Sequence, residues 1–300
     1  ESVCVLEYKS QQLTIFIATK QLWMCLNMKD KRERILESVE KENVKFVNLE
    51  FTDMLGAIKS VTIPIAQLSD SLHHGTWFDG SSIIGFARIA ESDMYLMPDP
   101  ETYAILPWEP KEKTVARFIC DVYKPDGKPF EGDPRYILKK TVEEANKMNF
   151  TYNTGPELEF FLFKPNDELI TKPVPHDVGS YFDFSPKDLA AAVRSDVISS
   201  LQALGMYVEM SHHEVAYGQH EIDFRYADAL KTADNAITFK HTVKAIAHLH
   251  ELYATFMPKP VFGINGSGMH VHQSLFDRKG KNSFFDPNDP YKLSEVAKMF

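Results

Sequence analysis

Cysteine is scarce in this 300-residue chain: only Cys4, Cys25 and Cys120 occur. Three widely spaced thiols exclude a disulfide scaffold and a thiolate zinc site, and they fit a reducing, cytoplasmic compartment. No run of 18 or more apolar residues is present, which argues against a transmembrane helix. Positive charge is in deficit, with 33 Lys and Arg against 42 Asp and Glu and a net charge of -9. That balance, with no basic cluster, opposes phosphate-backbone contacts and argues against nucleic-acid binding. A Walker A loop, a Rossmann glycine pattern, a kinase signature and a Gly-x-Ser-x-Gly elbow are all missing. So are internal repeats and low-complexity tracts. What is left, 44% hydrophobic and 25% charged, is a globular composition with apolar mass for a sizeable core.

The local patterns predict an α+β protein. Residues 1–27 fit neither a signal peptide nor a clear element. They are read as a buried strand or as an extension of uncertain origin ahead of Met28. An apolar stripe of Ile35, Leu36 and Val39 predicts a helix over 30–42. Val44–Phe51 and Ala57–Ile63 read as a hairpin around Met54-Leu55-Gly56. A short helix follows Pro64, then strands at Tyr95–Met97 and Val115–Asp121. Lys124-Pro125-Asp126-Gly127-Lys128-Pro129 punctuates the chain and divides a small domain, 28–123, from a larger one, 124–300. The second part reads as a helix (133–149), a strand (156–163), a helix (186–204), strands (206–211 and 220–226), a helix (230–253) and a strand (268–274).

The chemistry is concentrated on strand faces. Glu157 and Glu159 are two apart, so both carboxylates point to one side, with Leu158, Phe160 and Leu162 on the other. Glu221 and Asp223 repeat the arrangement, and Glu214 lies across the Gly218-Gln219 loop from Glu221. Paired carboxylates repel unless a positive group compensates. A hard divalent cation supplies that compensation. The plain alternative is a solvated sheet face. His212 and His213 are further candidate ligands. Asn265-Gly266-Ser267-Gly268 leads into a strand with His270, His272 and Ser274 on one face. Carboxylates with histidine favour Mg²⁺ or Mn²⁺. Together these features suggest phosphoryl chemistry at a multi-metal site. Lys259, just before the glycine loop, is a candidate phosphate contact.

These motifs resemble a known family. Glu157-Leu-Glu159, the stretch Glu214 to Glu221, Phe256 to His270, Phe51-Thr-Asp53, Phe78-Asp-Gly-Ser-Ser82 and Glu91 to Asp99 are similar to class I glutamine synthetases. The resemblance spans about 28–300. It implies a β-grasp-like N-terminal domain and a curved, mostly antiparallel partial-barrel catalytic domain with flanking helices. The implied reaction is ATP-dependent ligation of ammonium to glutamate through γ-glutamyl phosphate. A ligase using another amine, or a non-catalytic homologue, is the alternative. By resemblance, Glu159, Glu214 and Glu221 hold one metal, and Glu157 and His270 hold the second. Asn265 and Gly266 hold glutamate, and Phe224, His272 and Ser274 lie on the ATP side. Asp53 is the implied catalytic carboxylate, which helps bind ammonium and take its proton, and it comes from a neighbouring subunit in a dodecamer of two stacked hexamers. Arg88 matches an arginine of the branch inhibited by glutamine. Tyr217 departs from the proline of many relatives, which leaves that loop less preset. The resemblance also implies a later segment, with further arginines and a mobile flap, beyond residue 300.

Overall fold

The computed structural model describes residues 31–83, 85, 93–165 and 172–300. Arg88 and the segment 1–27 lie outside the described residues.

Helix α1 spans 31–41. Its Ile35 and Val39 are buried, as the periodic stripe requires. The chain then forms β1 (Phe46–Thr52), β2 (Ile58–Pro64), α2 (Leu68–His74), β3 (Thr76–Asp79), β4 (Asp93–Pro98), β5 (Ala104–Ile105) and β6 (Val115–Tyr123). These six strands make one sheet in the order β2-β1-β6-β4-β3, with β5 on β6. The expected hairpin is β1 and β2, antiparallel, with Phe46 opposite Pro64 and Thr52 opposite Ile58. Strands β1 and β6 run parallel. One face of the sheet buries Val47, Leu49, Phe51, Phe118, Cys120 and Val122 against α1 and α2. Strand β3 escapes the sequence reading because four residues are too few to establish a period.

The second part comprises α3 (Pro134–Lys147), β7 (Phe150–Lys164), β8 (Val174–Pro175), α4 (Ala191–Ala203), β9 (Val208–His213), β10 (Gln219–Phe224), β11 (Ala227–Asp228), α5 (Ala229–Leu249), β12 (Tyr253–Thr255), β13 (Met269–Asp277) and α6 (Glu295–Met299). Its seven strands form a sheet in which β7 pairs with β8, β10, β11, β12 and β13. Every pairing in it is antiparallel. The fold is the expected α+β arrangement, a β-grasp sheet followed by a curved sheet with helices.

Strand β7 is 15 residues long, nearly twice the expected 156–163, because it is clamped at many points along its length. Its Leu158, Phe160 and Leu162 pack with Val193, Val197 and Leu201 of α4 and Phe239, Val243 and Ile246 of α5. That packing fixes which face of β7 carries the glutamates. Helix α5 opens at Asp228, whose carboxylate accepts the Lys231 N–H at 3.1 Å. Asp228→Ala is expected to cost about 1 kcal/mol, read as a lower midpoint in urea unfolding.

Candidate metal and substrate site

Cross-strand register assembles the site. Glu159 of β7 lies opposite Glu221 of β10, and Glu221 lies opposite His212 of β9. Glu157 lies opposite His270 of β13. The period of two in each strand therefore brings all five side chains to one face. Ligand-type atoms of His212, Glu214 and Glu221 lie within 4.8 Å of one another, and so do those of Glu157, His270 and His272. His212 places Nδ1 3.4 Å from Glu214 Oε1 and Nε2 3.2 Å from Glu221 Oε2. His272 Nε2 is 2.8 Å from Glu157 Oε1.

The electrostatics of the face are those of an uncompensated anionic cluster. Burial, reinforced by Asp223, Glu159, Glu214 and Glu157, pushes the Glu221 carboxyl up to about 8. Burial, with Glu214 and Glu157 adding to it, also raises Glu159. Asp223 is raised by burial and by Glu157. A site that resists ionisation of its own carboxylates is stabilised by a divalent cation. Mixed carboxylate and imidazole donors suit Mg²⁺ or Mn²⁺.

The two adjacent histidines separate. His212 faces the glutamates, with the rings of Tyr181 and Phe182 edge-on to it at 5.6 and 4.9 Å. His213 is 0% exposed on the opposite face, against Asp177 and His220. That second trio also has a metal-like spacing, but its protons argue against an ion. His213 Nδ1 is 2.6 Å from the Glu214 carbonyl and Nε2 is 2.8 Å from Asp177 Oδ1. Both partners only accept, so both ring nitrogens carry hydrogen. Burial lowers the His213 pKa, and those two acceptors outweigh it and raise it. His220 Nδ1 accepts from Arg194 at 2.9 Å, which puts its proton on Nε2. Neither ring offers a lone pair. The trio is a buried ion pair that braces β9 and β10 from behind. Asp177 also accepts the Gly218 N–H at 3.0 Å.

Gln219 was not legible as a site residue, because a neutral amide carries no ligand signal. Its Nε2 donates to Glu159 Oε2 at 2.5 Å and to the Gly266 carbonyl at 3.0 Å, tying the carboxylate to the glycine loop. Gly218 enables this turn. It has φ +69°, and a Cβ there would meet the Leu162 carbonyl at 2.8 Å. Tyr217 beside it is exposed. Gly266 is equally constrained, since a Cβ would meet the Pro258 carbonyl at 2.2 Å. Gln219→Leu is expected to lower Mn²⁺ affinity about tenfold by releasing Glu159, measurable by titration of Mn²⁺ electron-spin signal.

The other expected residues fall as follows. Asn265 is exposed on the loop beside Gly266. Ser274 shares the His270 and His272 face, opposite Asn153 of β7. Phe224 does not reach the site. Its ring is 4% exposed and packs on Phe239 at 5.7 Å. Lys259 donates to the Ile264 carbonyl and braces its own loop. Asp53 is buried at the β1–β2 turn, where Oδ1 accepts from Leu55 N and Ala57 N at 2.9 Å. Lys59 Nζ lies 3.4 Å from Oδ2. Burial opposes ionisation of Asp53, and the Ala57 and Leu55 amides with Lys59 outweigh it, holding the carboxyl below its usual range. Among the described residues, no helix is long and apolar enough to cross a membrane.

The family model of the glutamine synthetase catalytic domain matches residues 131–300, and that of the glutamine synthetase β-grasp domain matches 43–125. A glutamine synthetase of Methanosarcina mazei is 55% identical over 275 residues, covering 90% of this chain and 60% of the relative. One of Thermus thermophilus is 53% identical over 273 residues, covering 90% and 61%. Among solved structures, Plasmodium falciparum glutamine synthetase superposes with TM-score 0.80 at 28% identity, covering 89% of this chain and 58% of that one. A structure described as a GmaS/ADP complex superposes with TM-score 0.77 at 33% identity, covering 87% and 60%. The chain thus spans about 60% of the length of the curated relatives it matches. On both its domains and its identity to those relatives, the chain belongs to the glutamine synthetase family.

Proposed function

We propose that this protein contributes the metal-binding half of an ATP-dependent ligase that joins ammonium to glutamate through γ-glutamyl phosphate. The observation that carries the reading is the row of Glu159, Glu221 and His212 across three strands, with Glu157 and His270 beside it. Glu159, Glu214 and Glu221 hold one divalent ion, with His212 alongside. Glu157 and His270 hold another, and His272 orients Glu157. Bound Mg²⁺ or Mn²⁺ supplies charge neutralisation for the phosphates of ATP. The chain's own residues do the positioning. Gln219 fixes Glu159 against the glycine loop. Asn265 and Gly266 present that loop to glutamate, and Ser274 lies on the nucleotide side. Arg88 is assigned to glutamine feedback on the resemblance alone.

Asp53 has a specific part in this reading. Two backbone amides already hold its carboxylate ionised. A carboxylate so stabilised is a weak base and a good anionic anchor. Asp53 therefore holds ammonium as a cation, and in an assembly of stacked rings it does so for a neighbouring subunit's glutamates. Among the described residues, its hydrogen-bond and ion-pair partners Leu55, Ala57 and Lys59 all lie in its own hairpin.

The test is phosphate release from ATP and glutamate by the full-length assembled protein, with ammonium and with a panel of alkylamines and polyamines. The expected result is release with ammonium and loss of most of it in Asp53→Asn. Release with amines alone would overturn the ammonium assignment. Absence of specific Mn²⁺ binding would overturn the metal assignment.

A further inference from the structure

A second cavity lies away from the glutamates, where the small sheet meets the helices of the larger part. It has a volume of about 220 Å³. Ile58, Ile119 and Leu138 supply much of its apolar wall, and Ala233 and Ile237 of α5 close one side. Its charged neighbours Arg135 and Asp234 satisfy each other through two hydrogen bonds at 3.0 and 2.9 Å.

Glu50 also lines this wall, and it is different. It is 6% exposed, and its Oε1 has no hydrogen-bond partner among the described residues. The nearest cations are too distant for a hydrogen bond: Arg117 Nη1 is 3.8 Å from Oε2 and His241 Nδ1 is 3.8 Å from Oε1. A buried acceptor left unmatched is costly, and native structures rarely keep one without a purpose. Burial raises the Glu50 pKa against the attraction of Arg117. Protonated or ionised, the group still accepts a hydrogen bond.

We propose that this cavity is a binding site for a compact, neutral, apolar molecule bearing one hydroxyl, whose O–H is donated to Glu50. The volume sets the size. An engineered apolar cavity of about 150 Å³ in another protein takes benzene, so about 220 Å³ accommodates a ring with one extra substituent. The apolar wall selects a hydrocarbon body, and Glu50 selects a single donor. Arg117 beside Glu50 selects against a cationic donor, because a like charge a few ångströms away is repulsive at low dielectric. The site is independent of the ligase assignment. It sits under the turn that carries Asp53, since Phe51, Thr52, Gly56 and Ile58 of that hairpin line it. An occupant would therefore brace the hairpin.

The experiment is isothermal titration of the full-length protein at pH 7 with benzyl alcohol, toluene and benzylamine. Benzyl alcohol is expected to bind at least about tenfold more tightly than toluene, one hydrogen bond to a buried acceptor being worth that much, and benzylamine more weakly than the alcohol. Ala233→Leu fills the cavity and should abolish binding of all three, with Ile237→Phe as a second filling variant if the first fails to fold. Glu50→Leu should level alcohol and toluene, whereas Glu50→Gln, which keeps an acceptor, should retain the alcohol preference. Equal binding of alcohol and toluene, unchanged binding in a folded filling variant, or no binding of any probe would each overturn the proposal.

Discussion

Saturating Mg²⁺ or Mn²⁺ is expected to raise the unfolding temperature of this protein by several degrees at pH 8 and far less at pH 5. The sign follows from Glu221. Burial and its acidic neighbours raise its carboxyl from an ordinary 4.5 to about 8. The folded state therefore binds a proton that the unfolded state has lost between these values. Stability without metal consequently falls as pH rises through that window, and is fully recovered below about 4.5. Each pH unit of displacement corresponds to about 1.4 kcal/mol, and solvent at the open side of the face screens part of it, leaving about 2 kcal/mol. A cation reverses the trend because it binds the deprotonated form. At a free concentration 100 times its dissociation constant it adds about 2.7 kcal/mol. For a chain of this size that is about 4 °C. Glu221→Gln should flatten the metal-free decline and weaken Mn²⁺ binding about 100-fold or more, since a direct ligand outweighs the supporting groups around it. Calorimetry with chelator and with Mn²⁺ at the two pH values reads both effects. An unfolding temperature indifferent to metal at pH 8 would dismiss the cation site.

The parts of this site that were legible in the sequence are those governed by strand parity. Glu157 with Glu159, and Glu221 with Asp223, share a face because a strand repeats every two residues, and a buried opposite face fixes which way they point. The fate of His212 and His213 was not legible. Parity says that adjacent residues point oppositely, but choosing between them needs the partner strand, and the pairing of His212 with Glu221 is set by the Gly218 turn. Phe224 illustrates the reverse. An alternating strand points its ring away from Glu221, and that ring packs against Phe239. The Asp177–His213 contact spans 36 residues and leaves no local trace. Gln219 looks like any polar loop residue until its amide is seen between Glu159 and Gly266. Short strands such as β12, three residues long, are defined by their pairing with β7 and carry no period of their own.

Arg135→Met is expected to destabilise the protein by about 3–5 kcal/mol, with no direct effect on the glutamate face. Arg135 stands in the first turn of α3, just after the Asp133 cap. Its guanidinium reaches Asp99 at the end of the small sheet at 2.7 Å, Asp121 of β6 at 2.6 Å and Asp234 of α5 through two bonds. One buried cation thus joins both sheets' supporting elements. Removing it leaves carboxylates that were desolvated on its account, and an uncompensated buried charge costs more than the pair is worth. Asp99 registers the dependence. Burial opposes its ionisation, and Arg135 outweighs this and holds its carboxyl below the usual range. Arg135→Lys keeps the charge but loses the planar fork that serves Asp234 twice, so a smaller loss of roughly 2 kcal/mol is expected. Because the fork links the small sheet to α5, the Met variant should also uncouple them. Urea unfolding followed at Trp77 of β3 and by far-ultraviolet circular dichroism should separate into two transitions where the parent has one. A single transition at the parent midpoint would mean that the junction is held instead by apolar contacts around Ile119, Leu138 and Ile237.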